Sequence, residues 1–257
     1  MISEMMTVNG VRLECRRLGT PSGPGPTLVF LHDGLGCVDI WRDFPGRLTD
    51  RIGLPGFVYS RAGHGRSDPI ALPRPLDYLN TEALQGLPAV LDAARIDRAI
   101  LVGHSDGATI SLIYGAAADA PRAEAIVAMA PHVFNEEISV RSIRDMIQEY
   151  EGGTLRAKLE RYHGSNVECA FRGWSEAWTD PQFRTWTVES LLAGIDVPVL
   201  VIQGKADGYG SLRQVTSILE NVSGPVQARV IPRCGHVPYR EMPEITLKAI
   251  ARFLQDL

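Results

Sequence analysis

The chain contains no run of about 18 consecutive apolar residues, so no segment has the length of a membrane-spanning helix. Its first residues, MISEMMTVNGVRLECRRLG, put acids and arginines where a signal peptide needs an unbroken apolar stretch, and a cytoplasmic, soluble protein is expected. Cysteine is scarce and scattered (Cys15, Cys37, Cys169, Cys234), with no CxxC and no His pair at zinc-finger spacing. Reduced thiols are expected, with no redox pair and no structural metal. A long run of one charge sign is missing too: Lys plus Arg 26 against Asp plus Glu 30 gives −4, which leaves no footprint for nucleic acid or an anionic membrane. Internal repeats and low-complexity segments are absent. With 45% hydrophobic and 22% charged residues, disorder is excluded as the main state.

What is present is a length of 257 residues, suited to one large domain with an insertion. Met5 to Val8, Asn9-Gly10 and Val11 to Arg17 read as a β-hairpin. Gly19 to Pro26 reads as a loop between strands. Short apolar strands then alternate with amphipathic stretches: Thr27 to Leu31 before a helical Val38 to Thr49, Phe57 to Ser60 before a helical Thr81 to Ala94, Ala99 to Val102 before a helical Ala108 to Ala117, then Ala125 to Ala130. Residues 131–194 contain helical segments without a convincing strand. Alternation resumes with Val197 to Gln203, a helix near Leu212 to Glu220, Val226 to Ile231 and a closing helix Ile245 to Leu254. This pattern predicts an α/β fold: a mostly parallel central sheet with helices on both faces and an inserted helical cap. The core would comprise residues 1–130 and 195–257, the cap residues 131–194. In such sheets ligands bind outside the carboxyl ends of the strands, so chemistry is sought in the loops that follow them.

One such loop is Gly103-His104-Ser105-Asp106-Gly107, a G-x-S-x-G between a strand and a helix. The flanking glycines permit the sharp turn that lifts a serine hydroxyl clear of the backbone, although a serine there can also simply cap its helix. A serine nucleophile needs a base, and the base needs an orienting group. Asp207 follows the strand ending in Gln203 and His236 follows the strand ending in Ile231, so the order is Ser105, Asp207, His236. Glu136 and Glu137, beyond the strand ending in Ala130, are the competing acids.

At these residues the chain resembles the α/β-hydrolase superfamily of serine hydrolases with a helical cap, nearly end to end. The likeness extends to Phe30-Leu31-His32-Asp33-Gly34-Leu35-Gly36, similar to the superfamily's His-Gly oxyanion loop, to Trp41 beyond it, and to Arg61-Ala62-Gly63-His64-Gly65-Arg66-Ser67-Asp68. The resemblance implies an α/β-hydrolase fold with Ser105 as nucleophile, His236 as base, Asp207 as orienting acid, and the Gly34 and Asp106 N–H groups as oxyanion hole. It implies no cofactor and no metal. His32, His64 and His104 flank the site and are expected to be structural. Gly34-Leu35-Gly36 is a poor dinucleotide fingerprint, since Asp39 stands where a third glycine belongs.

Two departures stand out. Asp33 replaces a usual Gly, and Asp106 follows the serine where an apolar side chain or Gln is usual. The plain expectation is that Asp33 turns toward loop amides and Asp106 makes helix-start hydrogen bonds; the alternative is that one binds a polar substrate. In the 131–194 block lie Tyr162, Phe171, Trp174, Trp178, Phe183 and Trp186. Trp174 and Trp178 are spaced to share a helix face, either as the cap's own core or as a pocket lining above Ser105. The substrate binders are therefore expected among Trp174, Trp178 and Asp33. The expected activity is an esterase acting on small or medium carboxylic esters with an uncharged body. Ser105 excludes the haloalkane dehalogenase variant, which needs Asp. Lactone hydrolysis stays open on the Asp-Gly-Leu-Gly loop. Carbon–carbon bond hydrolysis is weaker, because Val237 follows His236 where Trp is usual, and a non-catalytic receptor of the same fold is weaker still.

Overall fold

The computed structural model describes residues 3–19, 25–117 and 122–257. β1 (Glu4–Val8) and β2 (Val11–Leu18) form the expected hairpin. Asn9 and Gly10 lie at φ 51° and 83°, and a two-residue turn that follows the strand twist needs such left-handed residues at both positions. Of the loop expected at Gly19 to Pro26, residues 20–24 lie outside the described residues. β3 (Thr27–Leu31), β4 (Gly56–Tyr59), β5 (Ala99–His104), β6 (Ala123–Met129), β7 (Val199–Gly204) and β8 (Val226–Ile231) complete an eight-stranded sheet in the order β1-β2-β4-β3-β5-β6-β7-β8. β2 is antiparallel to both neighbours, and every pairing from β4 to β8 is parallel. β5 is buried along its whole length, as a central parallel strand covered on both faces must be.

The helices in chain order are α1 (Phe44–Ile52), α2 (Tyr78–Thr81), α3 (Leu87–Ala94), α4 (Asp106–Gly115), α5 (Glu137–Gly152), α6 (Leu155–His163), α7 (Val167–Thr179), α8 (Leu212–Asn221), α9 (Pro238–Glu241) and α10 (Pro243–Gln255). Alternate strand residues face opposite layers. Leu28 and Phe30 pack with Phe44 and Leu48 of α1 and Leu247, Ile250 and Phe253 of α10. Val29 and Leu31 pack in the other layer with α3, α4 and α8, a layer that continues into α5, α6 and α7. Between β6 and β7 the chain is helical, and its one β contact is an isolated bridge from Phe134 to Thr187. None of the helices described is long and apolar enough to cross a membrane.

Three of the expected boundaries that move do so beside a proline. The stretch Val38 to Thr49 is a 3₁₀ turn (Val38–Trp41) and then α1, because Arg42 takes φ 55° and Pro45, which lacks an N–H, suits the first turn of a new helix. The stretch Thr81 to Ala94 starts earlier, at Tyr78, and passes through a π-helical turn (Glu82–Gly86) just before Pro88, which has no N–H for the preceding turn. β7 begins at Val199 rather than Val197, after Pro198, which cannot donate to the sheet.

The amino end of α4 is pressed against β3. A Cβ on Gly107 would lie 2.0 Å from the Leu31 carbonyl oxygen, and one on Gly103 would lie 2.3 Å from the Gly107 carbonyl oxygen. Both obstacles are backbone and cannot rotate away. Gly107→Ala should therefore lower stability by about 3 kcal/mol or more through overpacking. Gly152→Ala, at the end of α5 with nothing within 4 Å of its Cβ, should raise it by about 0.5–1 kcal/mol. Urea unfolding of the two variants checks this, and similar midpoints would contradict it.

Candidate active site

β5 ends at His104 and α4 begins at Asp106, so the chain must reverse within Ser105. Ser105 takes φ 51° and ψ −116°, a conformation that a residue with a Cβ adopts only when its surroundings enforce it. Its N–H is held by the Met129 carbonyl (2.9 Å), and its Oγ lies 3.0 Å from His236 Nε2. His236 Nδ1 in turn donates toward both Asp207 oxygens, at 2.9 and 2.8 Å. Asp207 also accepts from the Tyr209 N–H (2.7 Å), the Gly210 N–H (3.3 Å) and Gln203 Nε2 (2.7 Å). Burial alone would raise the Asp207 carboxyl, but these bonds and the nearby His236 outweigh it and hold it below the usual carboxylate value. The competing acids are engaged elsewhere. Glu136 accepts from the Ser211 N–H, Ser211 Oγ and Gln214 Nε2, and Glu137 pairs with Arg184 at 2.6 Å.

The N–H groups of Gly34 and Asp106 have no hydrogen-bond partner among the described residues. Gly34 must be glycine, since a Cβ there would lie 2.2 Å from Cδ1 of the Trp174 indole. The loop that carries it is fixed by Arg61, whose Nη1 donates to the His32 carbonyl (2.5 Å) and Nη2 to the Asp33 carbonyl (3.0 Å). Asp33 does turn toward a loop amide: Oδ1 accepts the Leu35 N–H (2.8 Å), and Oδ2 lies 3.1 Å from His104 Nδ1. His104 Nε2 lies 2.8 Å from the His236 carbonyl, so this one ring ties the Asp33 loop to the His236 loop. Burial would raise the Asp33 carboxyl, yet His104 and the Leu35 amide hold it below the usual range.

Asp106 corrects the helix-start expectation. Its side chain points away from the helix end, where Oδ2 accepts from Tyr78 OH (2.6 Å) and lies 4.0 Å from Arg61 Nη2. Tyr78 OH itself accepts from Trp178 Nε1 (2.9 Å). Burial raises the Asp106 carboxyl, opposed by Arg61 and Tyr78.

Ser105, His236, Asp33, Gly34, Trp174 and Trp178 all border one cavity of about 260 Å³. Both tryptophans are buried and both border the cavity. Trp178 lines the cavity and also packs on Phe183 and Trp186 (ring centroids 5.1 and 5.6 Å), while Trp174 covers Gly34. Sequence reasoning missed His132, Tyr209, Tyr239 and Arg240, which also line the cavity. His132 and Tyr209 stand in loops that follow β6 and β7, and Tyr239 and Arg240 on the short α9 just beyond the loop after β8; a position soon after a strand is the one signal that could have found them. His132 lies 5.7 Å from His236 and 5.0 Å from Trp178, ring to ring, and its Nδ1 is buried without a partner among the described residues. Burial and the neighbouring His236 push its pKa down to about 3.

A doubly covered parallel sheet that presents a serine on a strained turn after its central strand, within reach of a histidine from the last loop, defines the α/β-hydrolase architecture. The chain belongs to the alpha/beta hydrolase family, whose sequence model matches residues 28–249. Among solved structures it is similar to an enol-lactonase from Burkholderia xenovorans (18% identity, 98% of this chain and 100% of that one, TM-score 0.75). It is also similar to a proline iminopeptidase from Mycobacterium smegmatis (17%, 99% and 98%, TM-score 0.74) and to a bacterial membrane phospholipase A (20%, 99% and 86%, TM-score 0.78). At these identities the likeness is one of fold.

His32, His64 and His132 all titrate well below the ordinary histidine value, chiefly because burial disfavours their charged form. The unfolded chain therefore takes up protons near pH 6.5 that the folded chain refuses. Stability present above pH 6.5 should be lost as the pH falls toward 4, by at most about 1.4 kcal/mol per pH unit for each histidine. Asp33 and Asp207, with lowered values, add to the loss only below about pH 4. Urea midpoints at pH 7 and 5 measure this, and equal midpoints would refute it.

Proposed function

We propose that this hydrolase is a serine esterase that cleaves small to medium carboxylic esters through an acyl-enzyme on Ser105. The observation that carries the reading is the unbroken hydrogen-bonded chain Ser105–His236–Asp207 beside the unengaged N–H groups of Gly34 and Asp106. His236 takes the Ser105 proton as Oγ attacks the ester carbonyl, and Asp207 orients the ring and stabilises its imidazolium. The carbonyl oxygen, now an anion, accepts from Gly34 and Asp106, the latter at a helix N-terminus that adds partial positive charge. His236 then protonates the departing alcohol. In the second half it activates a water that releases the acid and regenerates Ser105.

Residues 131–194 act in this reading as the cap. They supply Ile143, Met146, Leu159, Trp174 and Trp178 to the cavity, an apolar wall suited to the body of an ester. The volume of about 260 Å³ favours small to medium substrates. A lactone is an internal ester and meets the same groups, so rates over aryl esters, lactones and thioesters of varied acyl length will define the substrate. The mechanism calls for no cofactor.

Fluorophosphonate should label Ser105, and Ser105→Ala should abolish both labelling and turnover. Asp207→Asn should lower kcat by roughly 10⁴ with the fold intact, whereas Glu136→Gln should not. Labelling at another serine, or normal kinetics in the Asp207 variant, would overturn the assignment.

The two tryptophans should separate. Trp174→Ala removes cavity wall, so kcat/KM for bulky esters should fall roughly 10–200-fold while acetate esters change little. Trp178→Ala also empties a packed cluster and removes the indole N–H that donates to the Tyr78 hydroxyl, so it should cost about 3–5 kcal/mol of stability and depress all esters alike. Thermal melting beside a two-ester comparison checks both, and identical profiles for the two variants would contradict the distinction.

A further inference from the structure

A second hollow, of about 310 Å³, adjoins the Ser105 cavity and shares Ile40, Leu159 and Arg240 with it as walls. Its rim carries four cations from three parts of the chain: Arg42 before α1, Lys158 and Arg161 on α6, and Arg240 on α9. In a protein of net charge −4, such a gathering runs against the overall balance. None of the four makes an ion pair or a side-chain hydrogen bond with a described residue. The carboxylates next to them in sequence have other partners. Asp43 faces Arg47 at 4.0 Å, Glu160 faces Arg156 at 3.4 Å, and Glu241 accepts the Gly235 and Val237 N–H groups. Within the cavity, Asp33 is bonded to His104 and the Leu35 amide. Four like charges beside the apolar Ile40 and Leu159 that both spaces share should raise a positive potential where the hollow meets the cavity.

We infer that this hollow is an anion subsite: the substrate is an ester that bears a carboxylate or phosphate remote from its scissile bond, and Arg42, Lys158, Arg161 and Arg240 hold that group while the ester lies at Ser105. The inference rests on the serine-esterase reading and narrows its substrate class, replacing the uncharged body expected from sequence. Guanidinium groups suit such anions because they offer paired donors, and lysine adds a mobile point charge. The cations are exposed, so each contributes modestly and their combined effect is screened by salt.

The test uses aryl esters of a dicarboxylic acid whose far end is either free carboxylate or primary amide, and a second matched pair in which phosphate or a neutral group sits on the alcohol side. Ratios of kcat/KM are read at about 0.01 M and 1 M salt, where the Debye length is roughly 30 and 3 Å. In at least one pair the anionic ester should be preferred roughly tenfold or more at low salt, mostly through KM, with the preference shrinking at high salt. Lys158→Gln and Arg161→Gln should each reduce that ratio by roughly two- to fivefold, and the double variant by more than either alone. Equal rates within both pairs, or a preference indifferent to these substitutions, would overturn the inference. Salt-sensitive sedimentation with vesicles of anionic phospholipid, without any preference between soluble esters, would overturn it in favour of a surface-binding patch. A separate arm measures binding of the dicarboxylate half-amide to Ser105→Ala by calorimetry. Should no ester turn over, the esterase reading falls, and salt-dependent binding that weakens in the Lys158→Gln and Arg161→Gln backgrounds would still support the subsite, while its absence would refute it.

Discussion

The arrangement around Ser105 depends on one buried guanidinium. Arg61 follows β4 with its side chain fully enclosed, and isolating such a charge from water would cost several kcal/mol. The fold offsets that cost with two carbonyls of the 32–36 loop and with the Asp106 carboxylate at 4.0 Å. The same interactions that engage the two Arg61 Nη groups therefore fix the loop carrying Gly34 against the start of α4. The Arg61 backbone N–H adds a bond to His32 Nε2 (3.0 Å), and His32 Nδ1 donates to the Asp33 carbonyl (2.7 Å), so the ring is spent as a neutral strut. Replacing any member would leave a buried group unpaired, the costly direction of the hydrogen-bond balance.

This coupling resolves an electrostatic difficulty. Two carboxylates, Asp33 and Asp106, adjoin the proposed oxyanion donors, and an anion aimed at a developing anion would oppose catalysis. Neither faces it unscreened. Asp106 is turned behind the elbow onto Tyr78 and Arg61, and Asp33 is saturated by the Leu35 amide and His104. His104 also grips the His236 carbonyl, so the residue preceding the nucleophile links the donor loop to the base loop.

Much of this was legible in sequence because local chemistry dictated it. Asn9-Gly10 marked the hairpin, short apolar runs marked parallel strands, and G-x-S-x-G between strand and helix marked the elbow at Ser105. Asp207 and His236 were picked out by position after strand ends together with the Ser…Asp…His order that the resemblance implies, since Glu136 and Glu137 also follow a strand end. What could not be read were pairings set by tertiary approach. Arg61 and Asp106 are distant in sequence, and nothing local distinguishes the Asp106 side chain from a helix cap; only the packing of α2 and α7 places Tyr78 and Trp178 behind it. His132, Tyr209 and Arg240 were hidden likewise, since their relevance comes from sharing a cavity whose walls are drawn from distant segments. Some of the boundary errors had a simpler origin: Pro45 and Pro198 lack an N–H and stand where a helix or strand starts later than hydrophobic pattern alone put it, and Pro88 follows a π-helical turn that the pattern did not mark.

The helical segment 131–194 is joined to the sheet domain by polar contacts at its inner surface as well as by apolar packing. Trp178 Nε1 reaches Tyr78, His163 spans the Gly65 N–H and the Leu35 carbonyl (both 3.0 Å), and Asn166 donates to the Gly65 and Ser67 carbonyls. These anchors fall on the loops after β3 and β4 and, through Tyr78, on the start of α4, the same pieces that Arg61 binds together. Because they are directional, they fix where Trp174 and Trp178 stand relative to Ser105 more narrowly than apolar contact could, since a packed surface tolerates sliding that a buried hydrogen bond does not. The cavity shape is thus set by the network that sets the geometry of Ser105, and a change in one would be felt in the other.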